Sequence, residues 1–277
     1  MNVYVIKRVV NNNVVISSDG KGREVFLRGK GIGFNKKPGM EVSETLVEKE
    51  YLLKDGKRES LLKYIDDIPA KYFAVARKIL VEVGEEQQLR VGQEAVLALA
   101  DHIHFAVKRQ EEGLLYGNPM MYEIRTYYPV EYKAGKRALE IIKADLGIAL
   151  PEDEIGFIAF HIVTLRLGTP MDETFFITEM IRNIIKIVEE CYGIQLKDGS
   201  DQYQNLVAHL KFFGQRIFQK DTEPENDTFL IDLLKERYPK AYDCAKRIRE
   251  FILSAYKKDI GPEEMSFLLI HMVELNF

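Results

Sequence analysis

Residues 1–55 alternate apolar and polar positions with the period of two expected of strands. Val3–Val10 is rich in β-branched residues, Asn11-Asn12-Asn13 interrupts it, and Val14–Ser17 resumes the pattern. A second break, Ser18-Asp19-Gly20-Lys21-Gly22, leads into Glu24–Leu27; the glycine-rich Gly29–Gly33 follows, and Val47–Leu53 closes the segment. Asn tolerates positive φ and Gly adopts it freely, so both breaks predict hairpins. The pattern predicts a small antiparallel β domain of four short strands. So small a sheet buries little by itself, and pairing with a copy of itself is expected.

After Asp55-Gly56-Lys57 the period lengthens to that of helices. Tyr72–Val83, Gly92–Gln110, Glu131–Leu146 and Asp153–Leu167 carry apolar residues at helical spacing. Asp153 and Glu154, behind Pro151, suit a helix start with acids in its first turn. The helical text then repeats. Tyr128-Pro129-x-x-Tyr132-x-x-x-Lys136-Arg137 recurs as Tyr238-Pro239-x-x-Tyr242-x-x-x-Lys246-Arg247. Glu154-x-x-Phe157-x-x-x-His161-x-Val163 recurs, at the same offset, as Glu264-x-x-Phe267-x-x-x-His271-x-Val273. Upstream, His102-x-x-Phe105-x-x-x-Arg109 recurs as His209-x-x-Phe212-x-x-x-Arg216. The fold class is therefore multidomain, α and β: a β head at 1–57, a connector at 58–66, and two homologous all-α bundles at 67–170 and 171–277.

Composition sharpens this division. The chain has 277 residues, 46% hydrophobic and 30% charged, an ordinary globular balance. Its net charge of −4 hides an asymmetry: residues 1–57 hold 11 basic and 7 acidic side chains, while the remainder is net −8. A basic head on an acidic body suggests a polyanion-binding module with a separate partner surface. Cys191 and Cys244 are too few for a disulfide framework. The N-terminus lacks a signal peptide's pattern, and the longest apolar run, Ile155–Val163, is broken by His161. These features predict a cytoplasmic protein with no membrane insertion.

Four of the five histidines fall at matched positions: His102 with His209, and His161 with His271. One reading makes them hydrogen-bonded core residues. The other makes them chemical, and there the options narrow. Metal binding wants carboxylate-x-x-His, which occurs only as Asp101-x-x-His104, on the unmatched histidine. His104 lies about 200° round the helix from His102 and reads as a surface or packing residue. There is no Gly-x-Ser-x-Gly, no P-loop and no dinucleotide fingerprint, so no cofactor is implied. Phosphoryl acceptance remains, since neutral imidazole is nucleophilic near pH 7. Arg109 and Arg216, two turns from their histidines, are candidates to pair with the added charge.

The residues resemble the BglG/SacY/LicT transcriptional antiterminators over nearly the whole chain. Val9-Val10-Asn11-Asn12-Asn13-Val14 and Gly29-Lys30-Gly31-Ile32-Gly33-Phe34-Asn35-Lys36-Lys37 are similar to that family's two RNA-contacting segments. Asp101-His102-Ile103 and Phe160-His161 resemble the phosphorylation sites of its first phosphotransferase-system (PTS) regulation domain, and His209 and His271 match those of the second. Ala208, not an acid, precedes His209, a departure that bears on how the second domain handles phosphate. The Gly-Lys-Gly loop is most similar to glucose-type members.

The resemblance implies an RNA-binding homodimer that holds a leader-mRNA hairpin and so prevents a terminator from forming. It implies control by a sugar-specific PTS permease acting on the first regulation domain and by the phosphocarrier HPr acting on the second. RNA of this kind is read through unpaired bases, minor groove and phosphates. Gly29 and Gly31 would allow close approach, Phe34 would stack on a base, Asn13 would meet base edges, and Arg8, Lys30, Lys36 and Lys37 would supply charge. Phe34 reads equally as a core or dimer-interface aromatic. A DNA-binding regulator is the nearest alternative class, but it needs a recognition helix that the strand-rich head does not offer. An enzyme relaying phosphate or using a metal is the third.

Overall fold

A computed structural model of the chain describes residues 4–11, 13–19, 22–33, 36–52, 67–114, 116–219 and 229–274. Phe34 and the connector at 58–66 lie outside the described residues. The chain forms two compact units, residues 1–174 and 175–277.

The head is an antiparallel sheet of five strands, β1 Tyr4–Asn11, β2 Val14–Ser18, β3 Glu24–Arg28, β4 Glu41–Val42 and β5 Lys49–Leu52, in the order β4-β1-β2-β3-β5. This corrects the expected count of four. The added strand, β4, is only two residues long and pairs Tyr4 with Val42. Tyr4, Ile6, Val9, Val15, Val25, Leu27, Ile32 and Val42 bury one face of the sheet. The other face is not left to solvent: Val14 and Phe26 join the core of the first helical bundle. The sheet thus finds within its own chain part of the burial that its size demands.

Irregularities in β1 matter for the site. The β1–β2 register shifts between Ile6 and Arg8 and again between Val9 and Asn11. Ile6 and Val9 are both buried while Lys7 and Arg8 are exposed, so the first shift turns Arg8 outward where strict alternation would have buried it.

Five helices complete the first unit: α1 Ala70–Gln87, α2 Gln93–Glu111, α3 Met121–Tyr127, α4 Pro129–Leu146 and α5 Asp153–Leu167. Pro129 starts α4 at a position where its missing N–H costs nothing, and Gly147, at φ 72°, ends it. Gly135 lets α5 press against α4: a Cβ there would sit 2.5 Å from the Ile155 carbonyl oxygen. α5 is buried on all sides from Glu154 to Val163, which places Glu154 and His161 inside the bundle.

The following helices are α6 Met171–Tyr192, α7 Asp201–Gln219, α8 Phe229–Arg237, α9 Pro239–Tyr256 and α10 Pro262–Glu274. From α7 onward they retrace α2 to α5, with Pro239 again at the first turn of its helix. Among the described residues no helix is long and apolar enough to cross a membrane.

Candidate functional site

The first repeat brings its two histidines together. His102 on α2 and His161 on α5 have ring centroids 5.0 Å apart. His102 is 2% exposed, and its Nε2 lies 2.8 Å from Oε2 of Glu154. Arg109, two turns along α2, donates from Nη2 to the other oxygen of the same carboxylate at 2.8 Å. Burial alone would raise the Glu154 carboxyl's pKa, but the bond and charge of His102, followed by Arg109, outweigh it and hold the group below its ordinary value. Arg109 is therefore engaged by Glu154 in this arrangement, where sequence reading offered it to an incoming phosphoryl group. Glu154 itself was legible as part of the repeat but was read only as a helix-start acid.

His161 differs from its neighbour. It is buried, and burial, with a smaller contribution from His102, pushes its pKa well below the ordinary histidine value. The ring is neutral at pH 7, the state with a free lone pair for nucleophilic attack. His104 stacks on Tyr72 with centroids 5.0 Å apart, which agrees with a packing role.

The second repeat assembles the same types with a closer histidine pair and a longer arginine–glutamate distance. His209 and His271 stack, with centroids 3.6 Å apart and planes at 21°. Arg216 Nε stands 4.0 Å from Glu264 Oε1, and its guanidinium lies over Phe267 at 4.2 Å. Nε and Nη2 of Arg216 have no hydrogen-bond partner among the described residues. Unlike Arg109, this arginine commits neither of these nitrogens to a hydrogen bond with its glutamate.

The RNA-binding candidates divide. Arg8 is exposed on β1. Asn13 is 1% exposed: its Oδ1 accepts from the Gly31 N–H at 3.1 Å, and its carbonyl accepts from Gly29 N–H at 3.0 Å. In this arrangement Asn13 braces the glycine loop. Gly29 has no room for a side chain, since a Cβ would meet the Leu46 carbonyl oxygen, and Gly31 sits at φ 63°, where glycine is favoured. Lys30 forms an ion pair with Glu112, just past the end of α2. Burial, then the charge of Lys108, lowers its pKa. Lys36 Nζ donates to the Glu41 carbonyl at 3.3 Å, and Lys37 is half-buried beside Met40.

Sequence reading missed what seats the head on α2. Arg28 at the end of β3 is buried, with Nη1 3.3 Å from Asp67, Nη2 3.7 Å from Asp101, and the guanidinium 4.7 Å above the Phe105 ring. Its Nη2 also lies 3.3 Å from His104 Nδ1. Lys108 faces Glu48 at 3.5 Å. Asp101, the residue before His102, is thus a buried carboxylate with a cation of the head beside it. Among the described residues no group of three or more His, Cys, Asp or Glu is arranged to hold a metal ion.

Comparison with known proteins agrees with this layout. Residues 4–60 match the CAT RNA binding domain family, and residues 77–165 and 182–275 match the PRD domain family. The chain is 35% identical to the transcription antiterminator LicT of Bacillus subtilis (strain 168), covering 96% of this chain and 97% of LicT. It is 34% identical to the beta-glucoside operon antiterminator of Dickeya chrysanthemi, over 96% of this chain and 95% of that one. To the PtsGHI operon antiterminator of Bacillus subtilis (strain 168) the identity is 31%, over 98% of this chain and 97% of that one. A crystal structure of GlcT CAT-PRDI is 36% identical, covers 59% of this chain and 98% of that one, and has a TM-score of 0.37. A basic glycine-loop head followed by two helical repeats, each closing on a histidine pair, with these relatives over nearly its full length, belongs to the CAT–PRD family of transcriptional antiterminators.

Proposed function

We propose that the chain acts in the cytoplasm as a homodimer that binds a hairpin in nascent leader mRNA and prevents a terminator from forming. The proposed modules are the head at 1–57, the connector at 58–66, and regulation domains at 67–170 and 171–277. Phosphorylation of His102 and/or His161 by a sugar-specific PTS permease switches the protein off when its sugar is absent. Phosphorylation of His209 and/or His271 by HPr favours the active form. The protein is a stoichiometric regulator in this reading, without a turnover reaction of its own.

The observation that carries the reading is the double duty of α2. One helix bears the buried acceptor His102 and also Asp101, which faces the head through Arg28. A dianion added at that centre changes the charge around the surface on which the head rests. In a symmetric dimer each such charge is added twice. A reporter placed behind the leader terminator tests it. His102→Ala is expected to give sugar-independent antitermination, and His102→Asp to keep the reporter off. Identical behaviour of both variants and the unmodified protein, with no radiolabelled phosphate reaching residues 67–170, would make His102 a core residue only.

A further inference from the structure

Behind the histidine pair, a cleft of about 560 Å³ opens between the head and the first helical bundle. Arg8 from β1, Arg90 and Gly92 from the turn leading into α2, Glu94, and His161 and Thr164 from α5 line it. Three features make this more than a gap in packing. His161 is buried, yet its ring nitrogens have no hydrogen-bond partner among the described residues. Among the described residues neither Arg90 nor Arg8 forms an ion pair within 4 Å, although the charge of Arg8 acts on the half-buried Asp172. The shift in the β1 register is what turns Arg8 outward. Two guanidiniums outside any ion pair and a neutral imidazole line the same cleft, which brings cations and a nucleophile into one receptacle. Glu94 is the opposing charge on the lining.

We propose that this cleft seats the phosphoryl group carried by His161, with Arg8 and Arg90 as its cations, so that the phosphoryl group and the RNA backbone compete for Arg8. The inference rests on the functional reading above and adds the residues through which modification reaches the head. The donor is a phosphohistidine on another protein. A ring nitrogen of His161 attacks phosphorus, the P–N bond to the donor imidazole breaks, and the leaving imidazole takes up the proton that the His161 ring gives up. The product carries up to about two negative charges. Arg8, which would otherwise neutralise an RNA phosphate, is then held inside the chain.

The test uses the full chain, phosphorylated with phosphoramidate, with the phospho-His161 signal in ³¹P spectra identified by its loss in His161→Gln. A guanidinium nearby favours the dianion, so Arg8→Ala and Arg90→Ala are each expected to move the titration midpoint of that signal upward. Unchanged midpoints in both variants, or no phosphoryl group on His161, would overturn the proposal. Affinity for the transcribed leader hairpin, at fixed salt, gives the second reading. The His161-dependent loss on phosphorylation is expected to be at least about five-fold in the unmodified sequence and less than about two-fold in Arg8→Ala, whose starting affinity is already lower. An equal fold-loss in both would overturn the competition. A chain that binds no hairpin in any state would refute the antiterminator reading instead, and the ³¹P titration would still judge the cleft.

Discussion

The two helical repeats carry the same side chains at matched positions, yet they build two different centres. In the first, His102 and Arg109 share the Glu154 carboxylate, each at 2.8 Å. In the second, Arg216 stands 4.0 Å from Glu264 and rests on an aromatic ring. The outer face of the bearing helix differs more sharply: Phe105 is 1% exposed, whereas its counterpart Phe212 is 63% exposed. The head accounts for the difference. Arg28 covers Phe105 and faces Asp101 in the first repeat. The second repeat has Ala208 where Asp101 would stand, and so offers no acid at that position. Within the first unit, the helix that bears His102 also carries the acid and the aromatic ring on which Arg28 of the head rests.

The sharpest way to break the comparison is at the shared carboxylate. Glu154→Gln leaves Arg109 buried beside a neutral partner and should cost about 3–5 kcal/mol in unfolding of the first unit. Glu264→Gln, facing a half-exposed Arg216, should cost about 1 kcal/mol or less. Denaturant melts followed by probes in each unit would check this, and equal losses would mean that the two centres are equivalent.

Next in size is the tie to the head. Arg28→Met alone removes the cation beside the buried Asp101 and should cost about 3 kcal/mol, read as lost amide-exchange protection of β3 and α2. Arg28→Met combined with Asp101→Ala imitates the second repeat and should recover most of that loss. A double variant as weak as the single one would show that the ion pair does not organise the contact.

Acid should act on the same centre. The folded pKa of His161 lies below its unfolded value because burial penalises the charged ring, and that of His104 is lowered by burial and then by Arg28. Their contribution is complete above the unfolded value of about 6.5 and is lost as pH falls from there through the folded pKa, at up to about 1.4 kcal/mol per unit for each group. Stability of the first unit should therefore drop between about pH 7 and 5. His161→Gln should flatten that slope, and a slope unchanged by the substitution would contradict the assignment.

The smallest expected effect is at the loop. Glu112→Gln frees Lys30 and should tighten hairpin binding by no more than a few-fold, while Lys30→Ala should weaken it and reduce its salt dependence by about one phosphate contact.

Much of this was legible in the sequence, though unevenly. The period-two text gave the long strands, and Asp153–Leu167 agrees with the observed helix end to end. β4 escaped because a two-residue bridge after Pro38-Gly39 has no period to detect, and the seven-residue α3 was too short for the same reason. The histidine pairs came from the repeat, which is a statement about spacing. Their partners did not, because Glu154 at a helix start satisfies a local rule that hides its inward role. Arg28 and His104 lie 76 residues apart and meet only through tertiary packing. The bracing of the glycine loop by Asn13 was not legible for a related reason: its partners Gly29 and Gly31 are 16 and 18 residues away and meet it only once the sheet forms.

The claim that the first centre, and not the second, silences the head is tested most directly by leader-hairpin affinity in two phosphorylated proteins. One carries His209→Gln and His271→Gln, leaving only the first pair to accept phosphoryl groups; the other carries His102→Gln and His161→Gln. Phosphorylation should weaken hairpin binding by about five-fold or more in the first protein and leave it unchanged or tighter in the second. Equal weakening in both, or weakening confined to the second, would contradict the account.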